Sequence, residues 1–388
     1  MRVGIDLSLV PGQRVGVGQY SYQLARALAR VDRETAYTLY PVFYFIVHPE
    51  HRAAALPSAP NMHTAMRWLP PRLVTWLWRV DRSEAFKERL LGPVDIVHST
   101  TFCAPRFSVR GRRLVVTIHD VTFVSHPEFH VPANIEHCLN GTRQAIERAD
   151  VLIAVSESTR QELVERLGAP AERIVVTPEA ADPDLAPVTD RARLAEVRRR
   201  YRLPDRFVLF LGAMEPRKNL VRLIEAFDAL KPAIRRETWL VVAGAHGWLN
   251  DSVRARVESL GLADRVHFAG YVEGGDLAAL YSLATVFAYP SLWEGFGLPV
   301  LEAMACGTPV LTSDVSSLPE VAGDAAVLVS PTDVDAIAEG LTRLLEDTAL
   351  RADLAERGRC QAARFSWERC ARETLAVYES VVRGGRRP

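Results

Sequence analysis

Nothing in this 388-residue sequence pairs its cysteines, concentrates charge of one sign or sustains an apolar run long enough to cross a membrane. The five cysteines, Cys103, Cys138, Cys306, Cys360 and Cys370, are odd in number, scattered and without CxxC or finger-like spacing. That excludes a disulfide framework and a cysteine-built zinc site, and points to a reducing cytoplasm. Basic and acidic side chains balance at 47 each, so the basic footprint of a nucleic-acid binder is missing. The best apolar candidate, VFYFIV at 42–47, is framed by Pro41 and His48, far short of the roughly 20 residues a spanning helix needs. The opening MRVGIDLSLVPG is interrupted by Asp6 and reads as a buried first strand instead of a signal peptide. Any membrane contact is expected to be peripheral, at the inner face.

What is present is the balance of a soluble globular protein, 48% hydrophobic and 24% charged, with enough length for two domains. Short β-rich runs alternate with longer helical patterns, the signature of βαβ units. RVGIDLSL, TLYPVFYFIV, DIVHST, LVVTIHD, VLIAVS and RIVVTP read as strands of one sheet, and FVLFLGA, TWLVVAGA, RVHFAGY, TVFAYPS, TPVLTSD and AAVLVSP as strands of a second. Proline and charge concentrate in ADPDLAPVTDRARLAEVRRRYRLPDR between them, which sets boundaries at 1–185, 186–365 and a terminal helix over 366–388 that is expected to cross back to the first domain. The fold class is α/β, with two Rossmann-like doubly wound parallel-sheet domains facing a central cleft. Ligands then belong at the carboxyl ends of the strands.

Four stretches place chemistry at such ends. In SLWEGFGLPVLEAMACGTPV at 291–310, Glu294 and Glu302 bracket a glycine turn that runs into a helix. Gly295 and Gly297 permit close backbone approach, and Pro299 suits a first helical turn, where amide donors attract an anion. An ionised carboxylate only accepts hydrogen bonds, so two beside a phosphate site are explained if each grips hydroxyls, one set on a sugar and one on a ribose. Alone, such a pair is more often a solvated loop acid and a helix-start acid. MEPRKNL tips the balance by placing Arg217 and Lys218 after FVLFLGA, where adjacent cations suit a diphosphate. GVGQYSYQLARAL carries Gly16 and Gly18 as GxGxxS, lacking the third glycine of the dinucleotide fingerprint, and a glycine hinge before a helix reads as well. His119 and Asp120 follow LVVTI, as a ligand pair or as a buried histidine beside a capping acid. The DxD strings at 182–184 and 333–335 do not follow apolar strands and read as turn or cap acids, so no metal is expected.

Together these residues resemble the retaining glycosyltransferases of family GT4, which have the GT-B fold. The likeness runs through VHFAGYV, DLAALYSLA, PSLWEGFGLPVLEAMACGTPV and SSLPEVAGDAAVLVSPTD, and more loosely through GVGQYSYQL, DIVHST, TIHDVTFVSHPEF and VLIAVSEST. It implies that Glu294 contacts donor-sugar hydroxyls and Glu302 the ribose. Arg217 and Lys218 would hold the diphosphate with the amides of Gly295, Phe296, Gly297 and Leu298 and the Gly16–Gly18 loop. Tyr271 and Val272 correspond to the part that meets the nucleobase, and His119 to a histidine beside the transferred sugar. GVGQY, TIHD and HPEF look most like bacterial mannosyltransferases using GDP-mannose. The chain departs from the family in RVGVG, where many relatives pair glycines, and in TPEAAD, where an Asn-Gly-Val turn is common.

The expected reaction is retaining transfer of a hexose, mannose first, from a nucleotide diphosphate sugar to a hydroxyl of a glycan or lipid-linked glycan, without cofactor or metal. Substituting Glu294 or Lys218 by Ala is expected to cripple turnover and leave the fold intact. Rival readings are a UDP-sugar-dependent transferase, a sugar-nucleotide epimerase and a non-catalytic nucleotide-sugar-binding subunit. MRWLPPRLVTWLWRVDR at 66–82 interleaves tryptophan and arginine; packing within its own domain is the preferred reading, a lipid interface the alternative.

Overall fold

The computed structural model describes residues 1–7, 10, 16–40, 56–65, 92–102, 111–244 and 251–384. Cys103, the 42–47 run and the 66–82 segment lie outside the described residues. The chain divides into two compact units, Met1–Glu179 with Trp367–Pro388, and Ala180–Ser366.

The first unit holds β1 (Arg2–Asp6), β2 (Ala36–Tyr40), β3 (Met62–Thr64), β4 (Ile96–Ser99), β5 (Arg113–Ile118), β6 (Val151–Ala154) and β7 (Ile174–Val176). They form one parallel sheet in the order β3-β2-β1-β4-β5-β6-β7. The central strands are continuous apolar runs and not alternating ones because both faces are covered: all four residues of β4 and of β6 are buried. On the Val17–Val31 helix, Tyr20, Leu24, Ala27 and Leu28 recur at helical spacing and are buried. The C-terminal Trp367–Val382 helix packs against it.

The second unit holds β8 (Phe207–Leu211), β9 (Trp239–Ala243), β10 (Val266–Gly270), β11 (Val286–Tyr289), β12 (Val310–Ser313) and β13 (Ala326–Val329), parallel throughout in the order β10-β9-β8-β11-β12-β13. Strand order reverses between β1 and β4 in the first sheet and between β8 and β11 in the second. Crossovers leave to opposite sides at those points, opening a crevice at the carboxyl ends. Beyond β8 and β9 two glycines let the loops touch: a Cβ on Gly244 would lie 2.1 Å from the Gly212 carbonyl oxygen, and Gly244 has φ +128°. Among the described residues no helix is long and apolar enough to cross a membrane.

Candidate active site

The β8 and β11 loops are stitched together before any side-chain chemistry enters. Leu292 N donates to the Arg217 carbonyl at 2.8 Å and Ser291 Oγ to the same oxygen at 3.0 Å. Asn219 turns the chain in the left-handed region, φ +59°, and its amide nitrogen donates to the carbonyls of Pro290 (2.9 Å) and Pro331 (2.6 Å). This scaffold converges Arg217, Lys218 and Glu294. Glu294 Oε2 accepts from Arg217 Nη1 at 2.5 Å, and Oε1 from Lys218 Nζ at 2.7 Å and Ser291 Oγ at 2.6 Å. Lys218 also donates to the Tyr289 hydroxyl. The Glu294 backbone is held by Ser316, whose Oγ accepts from its amide, and by Ser317, whose Oγ donates to its carbonyl and to that of Phe296.

Burial pushes the Glu294 carboxyl upward, but Arg217 and Lys218, with hydrogen bonds from Lys218 and Ser291, outweigh it and hold it at about 2. It is therefore a permanent acceptor. Lys218 is pulled down from the usual amine value by burial and by Arg217, against the opposing pull of Glu294 and Glu215. Arg217 also meets Glu215 at 3.2 Å. Two cations thus stand against two carboxylates, and their formal charges cancel. The sequence shows the adjacent cations; the structure adds the two acids that pair with them. Lys218 Nζ thus bonds both Tyr289 and Glu294.

Glu302 is not part of that cluster. It lies in the Leu298–Ala305 helix, which starts at Gly297 with φ +116° and no side-chain cap, and its Oε2 accepts from the Tyr281 hydroxyl at 2.9 Å. Burial raises its carboxyl to about 7, opposed by the Tyr281 hydrogen bond and reinforced by the charge of Asp182. After β10, Val272 is buried while Tyr271 is 47% exposed. That loop is anchored one turn on, where buried Asp276 accepts from Arg193, from Arg200 at 2.8 Å and from Tyr201 at 2.7 Å.

In the first unit, Gly16 has φ +51° and opens the Val17–Val31 helix without a side-chain cap; Gly18 is buried in its first turn. Tyr20, from the same helix, stands edge-on to His119 with ring centroids 4.7 Å apart. His119 follows β5, with Nδ1 3.1 Å from Glu179 Oε1 and Nε2 3.0 Å from the Thr100 carbonyl oxygen. Asp120 turns back onto its own segment, accepting from Thr122 N and Oγ1. The DxD acids do local work: Asp182 accepts from Asp184 N at 3.0 Å, and Asp333 from Ala336 N at 3.0 Å as a helix cap. Among the described residues no group of three or more His, Cys, Asp or Glu side chains stands together as a metal site.

Sequence reasoning missed Ser291, Ser316, Ser317, Tyr281, Tyr289, Glu215 and Glu179. Ser291 lies three positions before Glu294 in a motif already quoted, a usable signal, whereas Ser316 and Ser317 reach it from 22 and 23 positions away. Tyr281 meets Glu302 across 21 positions, and no local pattern marks it.

Tandem Rossmann-like parallel sheets, one with an ionised carboxylate gripped by cations at its switch point, are the architecture of GT-B glycosyltransferases. Residues 196–361 match the family described as Glycosyl transferases group 1, and residues 15–185 match Glycosyltransferase Family 4. An O-antigen chain mannosyltransferase B of Escherichia coli is 34% identical over 94% of this chain and 96% of its own length. A D-inositol 3-phosphate glycosyltransferase of Salinispora arenicola is 34% identical over 96% of this chain and 88% of its own. A solved sucrose-phosphate synthase from Thermosynechococcus elongatus superposes with a TM-score of 0.75 at 23% identity, over 99% of this chain and 100% of that one. The chain belongs to glycosyltransferase family 4.

Proposed function

We propose that this glycosyltransferase is a metal-independent, retaining mannosyltransferase that moves mannose from GDP-mannose to a hydroxyl of a growing glycan. The observation that carries the reading is Glu294, a buried acceptor-only carboxylate set between Arg217 and Lys218 where β8 and β11 diverge. A carboxylate so held accepts two hydroxyls of a hexose. The choice of mannose is supported by the name of the Escherichia coli relative, which acts in O-antigen chains.

Donor hydroxyls that take hydrogen bonds from Glu294 loosen its hold on Arg217 and Lys218, and the two cations then face the diphosphate. Each such charge pair, at 4 Å and an effective dielectric near 20, is worth up to about 4 kcal/mol. Only the fraction that grows as the bond breaks accelerates the reaction. The acceptor oxygen bonds to the anomeric carbon on the face from which the nucleotide leaves. The bond from that carbon to the phosphate oxygen breaks, and a departing phosphate oxygen takes the acceptor proton. Glu302 receives ribose hydroxyls, the loop at Tyr271 and Val272 meets the base, and the amides of Gly295 to Leu298 assist at the phosphates. His119 stands beside the transferred sugar.

The test is nucleotide release from a panel of GDP- and UDP-sugars, with and without mannose-terminated glycans and with and without a chelator. The expected result is acceptor-dependent GDP release from GDP-mannose, insensitive to chelation, with an α-linked product. Preference for a UDP-sugar, loss of turnover on chelation or a β-linked product each overturns the corresponding part.

A further inference from the structure

We propose that Glu179 is a positioning residue that keeps His119 as an imidazolium at neutral pH, so that the ring acts as a fixed cation and not as a proton acceptor. The inference rests on the reading above for the ring's part in the reaction, but the ring's charge state is read independently of turnover.

The geometry leaves little freedom. The Thr100 oxygen is a backbone carbonyl and only accepts, so Nε2, 3.0 Å away, carries a hydrogen. Glu179 Oε1, 3.1 Å from Nδ1, accepts as a carboxylate, so Nδ1 carries one too. A neutral imidazole has one hydrogen for two nitrogens; a ring donating at both is a cation. The competing arrangement puts that second proton on Glu179, across the same 3.1 Å contact.

The surroundings favour the cation. Burial works against charge on His119, but the hydrogen bond and charge of Glu179, the Thr100 carbonyl and the charge of Asp120 outweigh it and raise the ring above the usual histidine value. His98 on β4 stays neutral, pushed down to about 3 by burial and by His119. It bridges Tyr378 Oη at 2.6 Å and Thr117 Oγ1 at 2.8 Å. Tyr20, Tyr378 and Cys370, from the two helices packed on this side, are held protonated and uncharged by burial. Among the described residues Glu179 and Asp120 are thus the negative groups that act on the ring, and of the two Glu179 bonds it. Its side chain is 6% exposed and that of His119 14%, so the pair is shielded from screening.

With both nitrogens donating, His119 has no lone pair to offer and serves a developing negative charge electrostatically. The test uses the full chain with 15N-labelled histidine, the His119 signals being assigned by their loss in a His119→Gln variant. Both ring nitrogens are expected to be protonated at pH 7, and Glu179→Gln to convert the ring to a single neutral tautomer. In turnover with GDP-mannose, Glu179→Gln is expected to lower kcat about tenfold at pH 7.5 with KM for donor changed less than about threefold, and to shift the alkaline limb toward acid. Glu179→Asp is expected to restore most of the rate and the limb. A neutral His119 in the unaltered protein, or an alkaline limb that stays in place in Glu179→Gln, overturns the proposal. A ring that is charged and loses its charge in Glu179→Gln, in a protein inert toward every donor, sinks the mannosyltransferase reading and leaves the Glu179 assignment standing.

Discussion

A carboxylate withdrawn from water either costs stability or gains it from pairing, and Glu302 and Glu294 illustrate the two cases. Glu302 has its carboxyl raised to about 7, so its ionisation destabilises the fold. The cost appears as pH rises above the unfolded value near 4.5 and is complete above 7, amounting to about 3 kcal/mol at 1.36 kcal/mol per unit. Ribose hydroxyls donating to the ionised form would recover part of it, so GDP binding should release a proton below pH 7 and tighten between pH 6 and 8. Calorimetry in buffers of different ionisation enthalpy should show that release, and Glu302→Gln should abolish it; an affinity for GDP that is flat with pH rules this role out. Glu294 is the opposite case, held at about 2, contributing stability above pH 4.5 that is lost as pH falls toward 2. Its pairing also revises the expectation that Glu294→Ala leaves the fold intact. Removing it leaves Arg217 to Glu215 and deprives Lys218 of its bonded carboxylate, both with side chains at most 15% exposed, at a cost of about 3–5 kcal/mol. Glu294→Gln keeps the shape and one acceptor, so it should lose turnover by at least about 100-fold with a smaller drop in urea midpoint. If Glu294→Ala unfolds at the same urea concentration as the parent, the ion cluster is not structural.

Elements were the most legible scale. Eleven of the twelve apolar runs read from the sequence coincide with a strand, because strands buried on both faces leave continuous Val, Ile and Leu tracts bounded by Gly, Pro and Asp; the twelfth, TLYPVFYFIV, meets β2 at Thr38–Tyr40 and continues outside the described residues. β3 was missed since it has three residues, Met62–Thr64, none of them buried, and an edge that short carries no period. The Arg217, Lys218 and Glu294 site was legible because all three lie in loops after such runs. Glu179 and Tyr281 were not: Glu179 reaches His119 through the strand order β5-β6-β7 and Tyr281 reaches Glu302 through the packing of two helices, which no local spacing encodes. The glycine contact beyond β8 and β9 has a measurable consequence at this scale. Gly244→Ala puts a methyl 2.1 Å from the Gly212 carbonyl at φ +128°, so the loop carrying Arg217 and Lys218 must move. Expected is a loss of about 3 kcal/mol or more together with weaker donor binding. Gly261→Ala is the control: its φ is +64° but nothing lies within 4 Å, so about 1 kcal/mol and unchanged binding are expected. Equal urea midpoints for the two variants would discount the close approach.

At the scale of the whole chain, the second unit is an insertion into the first: the backbone enters it at Ala180 and leaves at Ser366. The Trp367–Val382 helix then buries Trp367, Cys370, Ala371, Thr374, Val377, Tyr378 and Val381 within the unit that begins at Met1. Its aromatic ends are specific. Trp367 meets Tyr20 edge-on at 5.9 Å, and Tyr378 Oη bonds buried His98 at 2.6 Å. Ending the chain at Ser366 removes a whole helical layer and strands a neutral buried histidine, whereas the second unit keeps its six strands and every contact of the Arg217–Lys218–Glu294 cluster. Hydrogen exchange on the truncated protein should therefore show protection lost in β1, β4 and β5 and kept in β8, β11 and β12. Tyr378→Phe in the full chain isolates the single bond and should cost about 1–2 kcal/mol, felt only in the first unit. The asymmetry is the diagnostic: if truncation removes protection evenly from both sheets, the last helix stabilises the molecule through something other than the packing of the unit that holds His119.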